Sequence, residues 1–242
     1  MRKVVAAAVI AASAATSACG RSHDEDPGPQ VSHNYQVGNF QEVEVAGPFD
    51  VTIHTGAAPT VQAKGNQKLI ERLVVEVKGN KLLIHPKEKH GWFGSWGSVR
   101  GKGEIAVTVP MIQAATLAGA GDLNIDTIKG ERFDGQIAGS GDLKLGSVEV
   151  GSLKIGIAGA GGATAGPGKA GSAEYQIAGS GDVDARSVQV EDLKVSIAGS
   201  GSIKAHASRA ADVNIMGSGS VDVTGGAKCS VSKAGAGDVH CA

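Results

Sequence analysis

The chain has 242 residues, 37 of them Gly, with only 3% aromatic residues and a formal net charge of −1. Short side chains in place of large ones suit a narrow interior rather than a thick globular core. No basic stripe breaks the mildly acidic balance, which excludes a polyelectrolyte footprint for nucleic acid.

The first residues read as an address. Met1-Arg2-Lys3 is basic, Val4 to Ala15 is uncharged and rich in Ala and Val, and small residues lead to Ser17-Ala18-Cys19-Gly20. This order predicts a signal peptide over 1–18, and its apolar run is shorter than a membrane-spanning helix requires. The ending resembles a bacterial lipobox, which implies lipidation of Cys19; Thr16 departs from the usual Leu, and the alternative is ordinary cleavage near Ala18. The three cysteines, Cys19, Cys229 and Cys241, favour the first reading. With Cys19 acylated, the other two remain as a pair able to form a disulfide in an oxidising compartment. Gly20 is not the Asp that, by resemblance, retains lipoproteins at the inner membrane, so the outer membrane is the expected destination. Residues 19–36 are polar, with Pro27 and Pro29, and are expected to form a disordered tether in which His23 and His33 are solvated.

Residues 37–110 read as irregular β-structure. Val43–Val45, Phe49–Ile53, Val61–Ala63 and Leu82–Ile84 are short apolar runs between turn residues. Lys68 to Val77 suggests a helical turn followed by a strand, and Ile105–Pro110 leads into the next segment without a linker.

From residue 111 the chain repeats. Leu117-Ala-Gly-Ala-Gly-Asp122 recurs from Ile137, Ile157, Ile177 and Ile197, then more loosely from Ile215 and Lys233, at intervals of 20, 20, 20, 20, 18 and 18 residues. Within a repeat the alternation has a period of two: Phe133, Ile137, Leu143 and Leu145 face one way, and Asp134, Gln136 and Lys144 the other. Gly146-Ser147 and Gly151-Ser152 break the run into short strands. Each repeat is therefore one coil of an all-β, right-handed parallel β-helix with coils of about 20 residues. Ile137, Ile157, Ile177, Ile197 and Ile215 are expected to stack inward, as are Leu123, Leu143, Ala163, Val183, Ile203, Val221 and Val239. Lys233 replaces Ile in the last coil, which a disulfide between Cys229 and Cys241 would fasten. Residues 37–242 then form a single solenoid domain, irregular over 37–110 and regular over 111–242.

Phe40-x-x-Val43-x-Val45, Gly47-Pro-Phe-Asp-Val-Thr-Ile53, Val107-Thr-Val-Pro110 and the recurrent Gly-Ser-Gly-Asp copies resemble, in that order, the auto-transporter adhesin head GIN domain family. The resemblance covers roughly residues 38 to 240. It implies a right-handed β-helix at the cell envelope or surface and brings no catalytic residues.

The candidate sites are few. Trp92, Phe93 and Trp96 lie within five residues and include both tryptophans of the chain. They form either a ligand-binding platform for sugar faces or a membrane interface, or a loop folded onto the solenoid wall. Asp122, Asp142, Asp182 and Asp238 share one position in four coils; calcium needs six to eight oxygens, so each Asp is expected to cap its own turn. His85 and His90 lack a third ligand, and no metal or cofactor is expected. The Gly-x-Gly runs precede strands rather than the helix a dinucleotide fold needs, and no nucleophile elbow is present. The preferred reading is a non-catalytic envelope lipoprotein, adhesin-like, binding a glycan, surface polymer or protein. The alternatives are a polysaccharide lyase or hydrolase, for which Lys144, Asp134 and Glu149 would have to converge, and an envelope scaffold.

Overall fold

The computed structural model describes residues 28–87 and 103–242. Cys19 and the aromatic residues Trp92, Phe93 and Trp96, together with His90, lie outside the described residues. In chain order the elements are β1 (Gln30–Tyr35), β2 (Glu42–Ala46), β3 (Phe49–Thr55), β4 (Thr60–Asn66), α1 (Gln67–Glu71), β5 (Leu73–Lys78), β6 (Lys81–Pro86) and β7 (Gly103–Val109). The regular part continues with β8 (Ala114–Gly119), β9 (Asp122–Gly139), β10 (Asp142–Gly159), β11 (Gly162–Ala165), β12 (Gly168–Gly179) and β13 (Asp182–Gly199). It ends with β14 (Ser202–Gly217), β15 (Ser220–Thr224), β16 (Lys228–Ala234) and β17 (Asp238–Cys241). The architecture is a β-solenoid of about 6 turns.

The 20-residue period becomes the register of the stack. Ile137 pairs with Ile157, Ile157 with Ile177, Ile177 with Ile197 and Ile197 with Ile215, all in parallel. The second inward column, Leu123 through Val221 to Val239, is likewise continuous. Rungs about 4.8 Å apart leave these aliphatic side chains in van der Waals contact up the column, and all but Val239 are buried.

The glycine corner is what lets the rungs come so close. A Cβ on Gly139, Gly159, Gly179 or Gly199 would lie 2.1–2.2 Å from the carbonyl oxygen of the corresponding glycine one coil below. These residues also hold φ between +134° and +140°, where side chains are rarely tolerated. The carbonyls they leave exposed accept the next coil's N–H: Ser180 donates to Gly159 O and Ser200 to Gly179 O, both at 2.9 Å.

The stack does not begin where the repeats begin. β2 and β3 form a coil directly beneath β8 and the start of β9, with Val45 on Leu117 and Val51 on Leu123. Gly47 thus underlies Gly119, donating its N–H to Ala118 O at 2.8 Å. Beyond this coil lie β6, parallel to β2, and β7, parallel to β3. The solenoid is closed at that end by antiparallel strands: β5 on β6, β4 on β7 and β1 on β4. The helical turn and strand expected over 68–77 appear as α1 and β5.

One boundary differs from the sequence reading. Composition places residues 30–36 in a disordered tether, but Gln30–Tyr35 form β1, in register with β4 from Gln30/Asn66 to Tyr35/Val61. Val31 and Tyr35 pack against the core from this strand, and His33 meets the Tyr35 ring edge-on at 4.5 Å. Composition alone undervalues two apolar residues placed four apart, on the same side of a strand, with an uncovered edge waiting for them.

At the other end, Lys233 caps the Ile column above Ile215, and its Nζ donates to Gly237 O at 2.7 Å. Cys229 and Cys241 are disulfide-bonded, with Cα atoms 6.6 Å apart. Cys229 continues the column of Ala211, and Cys241 that of Val223. The bond therefore joins two walls across the interior of the last coil.

Candidate functional site

Side chains that point outward stack in register as strictly as those that point inward. Asp134, Lys154, Glu174, Lys194 and Asp212 occupy one outward column and alternate in sign, with Lys194 and Glu174 at 3.8 Å. On another wall Lys129, Glu149 and Lys169 do the same, with Lys129 and Glu149 at 3.1 Å. Like charges on adjacent rungs would repel and opposite charges attract, so neighbouring rungs offset each other's charge.

The Asp positions of the corner behave differently from the sequence expectation. Instead of capping its own turn, the Asp142 carboxylate accepts the N–H of Gly162, one coil on, at 3.0 Å. The Asp182 carboxylate accepts the Ser202 N–H at 3.1 Å and its hydroxyl at 2.6 Å. The row starts earlier than the repeats, since Asp50 accepts the Asp122 N–H at 3.1 Å. In a parallel stack the N–H of the next rung sits within reach of the carboxylate below it. These carboxylates are thus fasteners between coils. Among the described residues no group of three or more His, Cys, Asp or Glu could hold a metal ion.

A dense polar cluster joins the N-terminal coil to the first repeat. The Asp126 carboxylate accepts from the Thr55 N–H at 3.0 Å, the Thr55 hydroxyl at 3.1 Å and the Thr127 N–H, and lies 3.2 Å from His54 Nδ1. Burial pushes the Asp126 carboxyl up, but the hydrogen bonds from Thr55, His54 and Thr127 together hold it below its ordinary value. The cluster pins β3 to β9. His85 is half-buried, with Nε2 at 3.5 Å from Glu76. Asp134, Lys144 and Glu149 do not converge. They stand on three successive walls of one coil, Lys144 nearest Asp122 and Glu149 paired with Lys129.

Sequence reading misses one depression in the wall. The coil from Ile197 to Ile215 is two residues short, and its pairing with the coil below slips between Ala185 and Gln189 and again between Val190 and Asp192. Around this slip is an open groove of about 430 Å³, bordered by Lys169, Gly171, Gln189, Glu191, His206 and Ser208. The 18-residue interval is the available signal.

Known proteins share this architecture. The family model described as "Putative auto-transporter adhesin, head GIN domain" matches residues 39–227. The chain belongs to this family. As a GIN domain it shares its fold with a "putative adhesin" from Bacteroides fragilis, at 21% identity and a TM-score of 0.77, covering 88% of this chain and 97% of that one. A "putative lipid binding protein" from Parabacteroides distasonis aligns at 24% identity and a TM-score of 0.72, covering 89% and 97% of the two chains. A "putative adhesin" from Parabacteroides merdae aligns at 16% identity and a TM-score of 0.70, again over 89% and 97%. No curated protein matches the GIN domain chain.

Proposed function

We propose that this GIN domain is a non-catalytic module of the bacterial cell envelope, held at the outer membrane by lipid on Cys19 and presenting its walls to a glycan, surface polymer or protein. The observation that carries the reading is the outer wall itself. Among the described residues its charged side chains mostly face opposite charges on neighbouring rungs, as in the Asp134 to Asp212 column, rather than gathering around a reacting atom. A rigid stack of this kind offers extended binding surface, the usual role of solenoids. The family description as an adhesin head agrees with it.

The cap end adds direction. β1 is the first strand after Cys19, and β6 and β7 flank residues 88–102; all three belong to the end closed by antiparallel strands. A chain held through Cys19 would therefore turn its cap toward the membrane and its disulfide-closed coil away from it. Trp92, Phe93 and Trp96 remain the candidate contact residues, as a sugar platform or an interfacial anchor.

Binding of the mature chain to a panel of glycans and envelope fractions, with a Trp92→Ala/Trp96→Ala variant beside it, tests the proposal. Binding that the variant loses fits the aromatic residues as the site, and binding it keeps moves the site to the wall. Absence of any binding defeats the adhesin-like reading. Metabolic labelling with a radiolabelled fatty acid, abolished by Cys19→Ala, tests the anchor; label incorporation that survives the substitution would disprove it.

A further inference from the structure

Three consecutive rungs build the groove at the coil slip. Lys169, Gln189 and His206 stand outward in one register column on three consecutive rungs. The rung beneath carries Glu149, whose charge is taken by Lys129 at 3.1 Å. Lys169 succeeds Glu149 in the ladder but has Gln189 above it, so the alternation stops at this cation. Beside this column, at the next corner, Gly151 and Gly171 lie one above the other, a Cβ on Gly171 falling 3.0 Å from Gly151 O. The rung below this pair has Glu131 and the rung above has Glu191. Two rungs without side chains, between two rungs with long ones, form a notch.

The short coil then shapes its upper rim. Arg186 to Val188 have no partner in the coil above, whereas Ser208 and Arg209 together oppose Glu191. Arg209 binds the Asp192 carboxylate and approaches Glu191 to 3.8 Å, which fixes the rim and offsets its negative charge. Ser208 donates its hydroxyl to Val190 O at 3.2 Å, leaving its oxygen lone pairs directed elsewhere. His206 sets Nδ1 3.3 Å from Thr224 Oγ1 and lays the Nε2 edge of its ring beneath Gly225, so it closes the rim toward the next coil. The border thus combines the ammonium of Lys169, a planar amide, a carboxylate and a hydroxyl oxygen. Such a set matches a ligand with several hydroxyls and one negative charge.

We infer that this groove binds a saccharide unit carrying a carboxylate, with the carboxylate on Lys169 and ring hydroxyls on Gln189, Glu191 and Ser208. This rests on the proposed glycan-binding role and assigns it a site on the wall built from residues other than Trp92 and Trp96. No Phe, Tyr or Trp lies among the groove's bordering residues, so recognition is by hydrogen bonds and charge and weakens as salt screens it. Rungs about 4.8 Å apart let an extended acidic oligosaccharide run along the column rather than across it.

The test is an NMR-detected titration of the full mature chain with oligogalacturonate, and with neutral oligogalactose of equal length. Lys169→Ala and the Trp92→Ala/Trp96→Ala variant are titrated in parallel. Lys169 is exposed, so its variant folds, and a circular dichroism melt verifies that. The expected result is binding of the acidic oligomer at least tenfold tighter than the neutral one, lost in Lys169→Ala and retained in the tryptophan variant. Equal binding of both oligomers, or unchanged binding by Lys169→Ala, overturns the groove assignment while leaving a glycan-binding module in place. Binding that depends on the tryptophans and not on Lys169 also overturns it. Failure of both oligomers in the titration, alongside binding of other glycans in the panel, overturns the acidic-saccharide inference alone; failure of every glycan overturns both.

Discussion

Replacing Gly179 by Ala adds a single methyl group and should be among the most damaging substitutions in the chain. The new Cβ would lie 2.2 Å from Gly159 O, 3.0 Å from its carbonyl carbon and 3.2 Å from its nitrogen. An ordinary contact needs more than an ångström of further separation from that oxygen. The obstacle is backbone in the neighbouring rung, and that rung is clamped by parallel pairing along its whole length. Two costs add. Holding a non-glycine residue at the observed φ of +137° costs about 1–3 kcal/mol. Displacing Gly159 O also weakens its acceptance of the Ser180 N–H, now at 2.9 Å, a bond worth about 1 kcal/mol. The expected loss is therefore about 2–4 kcal/mol. Urea denaturation followed by circular dichroism measures it, with Gly38→Ala as the control. A Cβ on Gly38 would have nothing within 4 Å, and its φ is not positive, so that change should be neutral or stabilise by about 0.4–1 kcal/mol. Because each coil touches only its neighbours, Gly179→Ala should also begin to separate unfolding into two steps. A Gly179→Ala protein within about 0.5 kcal/mol of the parent, the spread of an ordinary surface substitution, would refute the close-approach argument.

Tyr175 is fully buried and its hydroxyl has no hydrogen-bond partner among the described residues; burial also pushes its ionisation up. Tyr175→Phe should therefore raise stability by about 1 kcal/mol, and a lower melting temperature would mean the hydroxyl is satisfied. Reducing the Cys229–Cys241 bond, which closes a loop with a sequence separation of 12, should cost about 3 kcal/mol. Hydrogen exchange should show the loss confined to residues 225–242, and uniform loss across the solenoid would contradict coil-by-coil stability. The Arg186 guanidinium holds the Asp184 carboxyl below its ordinary value. A depressed carboxyl contributes stability above its unfolded pKa of 3.8 and loses it as pH falls through the folded value. The pair is exposed, so the gain is small, and Asp184→Asn should flatten the stability–pH curve below about pH 4. Equal slopes for variant and parent would remove that contribution.

Much of the fold is legible in the sequence because the repeat makes every coil report on its neighbours. Once Leu117, Ile137 and Ile157 are seen to recur at 20 residues, the inward columns, the corners and the parallel register are determined without further information. The outward ladders are equally available, since Asp134, Lys154, Glu174 and Lys194 alternate at the same interval, but they emerge only when charge is read rung by rung and not residue by residue. Reading residue by residue also places each corner Asp on its own turn. In a stack, the nearest unpaired donor belongs to the next coil, as Asp142 and Gly162 demonstrate. The groove is the converse case. It arises where the period fails, so its position is marked in sequence by the 18-residue interval, while its border of Lys169, Gln189 and Ser208 depends on which rungs are left opposed after the slip.

The N-terminal part is hidden for a different reason. Residues 42–55 act as a repeat although they stand 72 positions before the coil they support, as the pairing of Val51 with Leu123 shows. Gly47-Pro48-Phe49-Asp50 occupies the place of Gly119-Ala120-Gly121-Asp122, and only the first glycine and the aspartate are retained. The second glycine is not needed on the lower rung. Gly121 must be glycine because a Cβ there would lie 2.0 Å from Phe49 O, whereas Phe49 faces β7, where Gly103 makes the room instead. The constraint passes upward from each carbonyl to the residue above it. A starting coil can therefore carry a large side chain at a position where every later full-length coil carries glycine. That asymmetry explains how a buried aromatic residue can seal the core next to the cap without breaking the register above it.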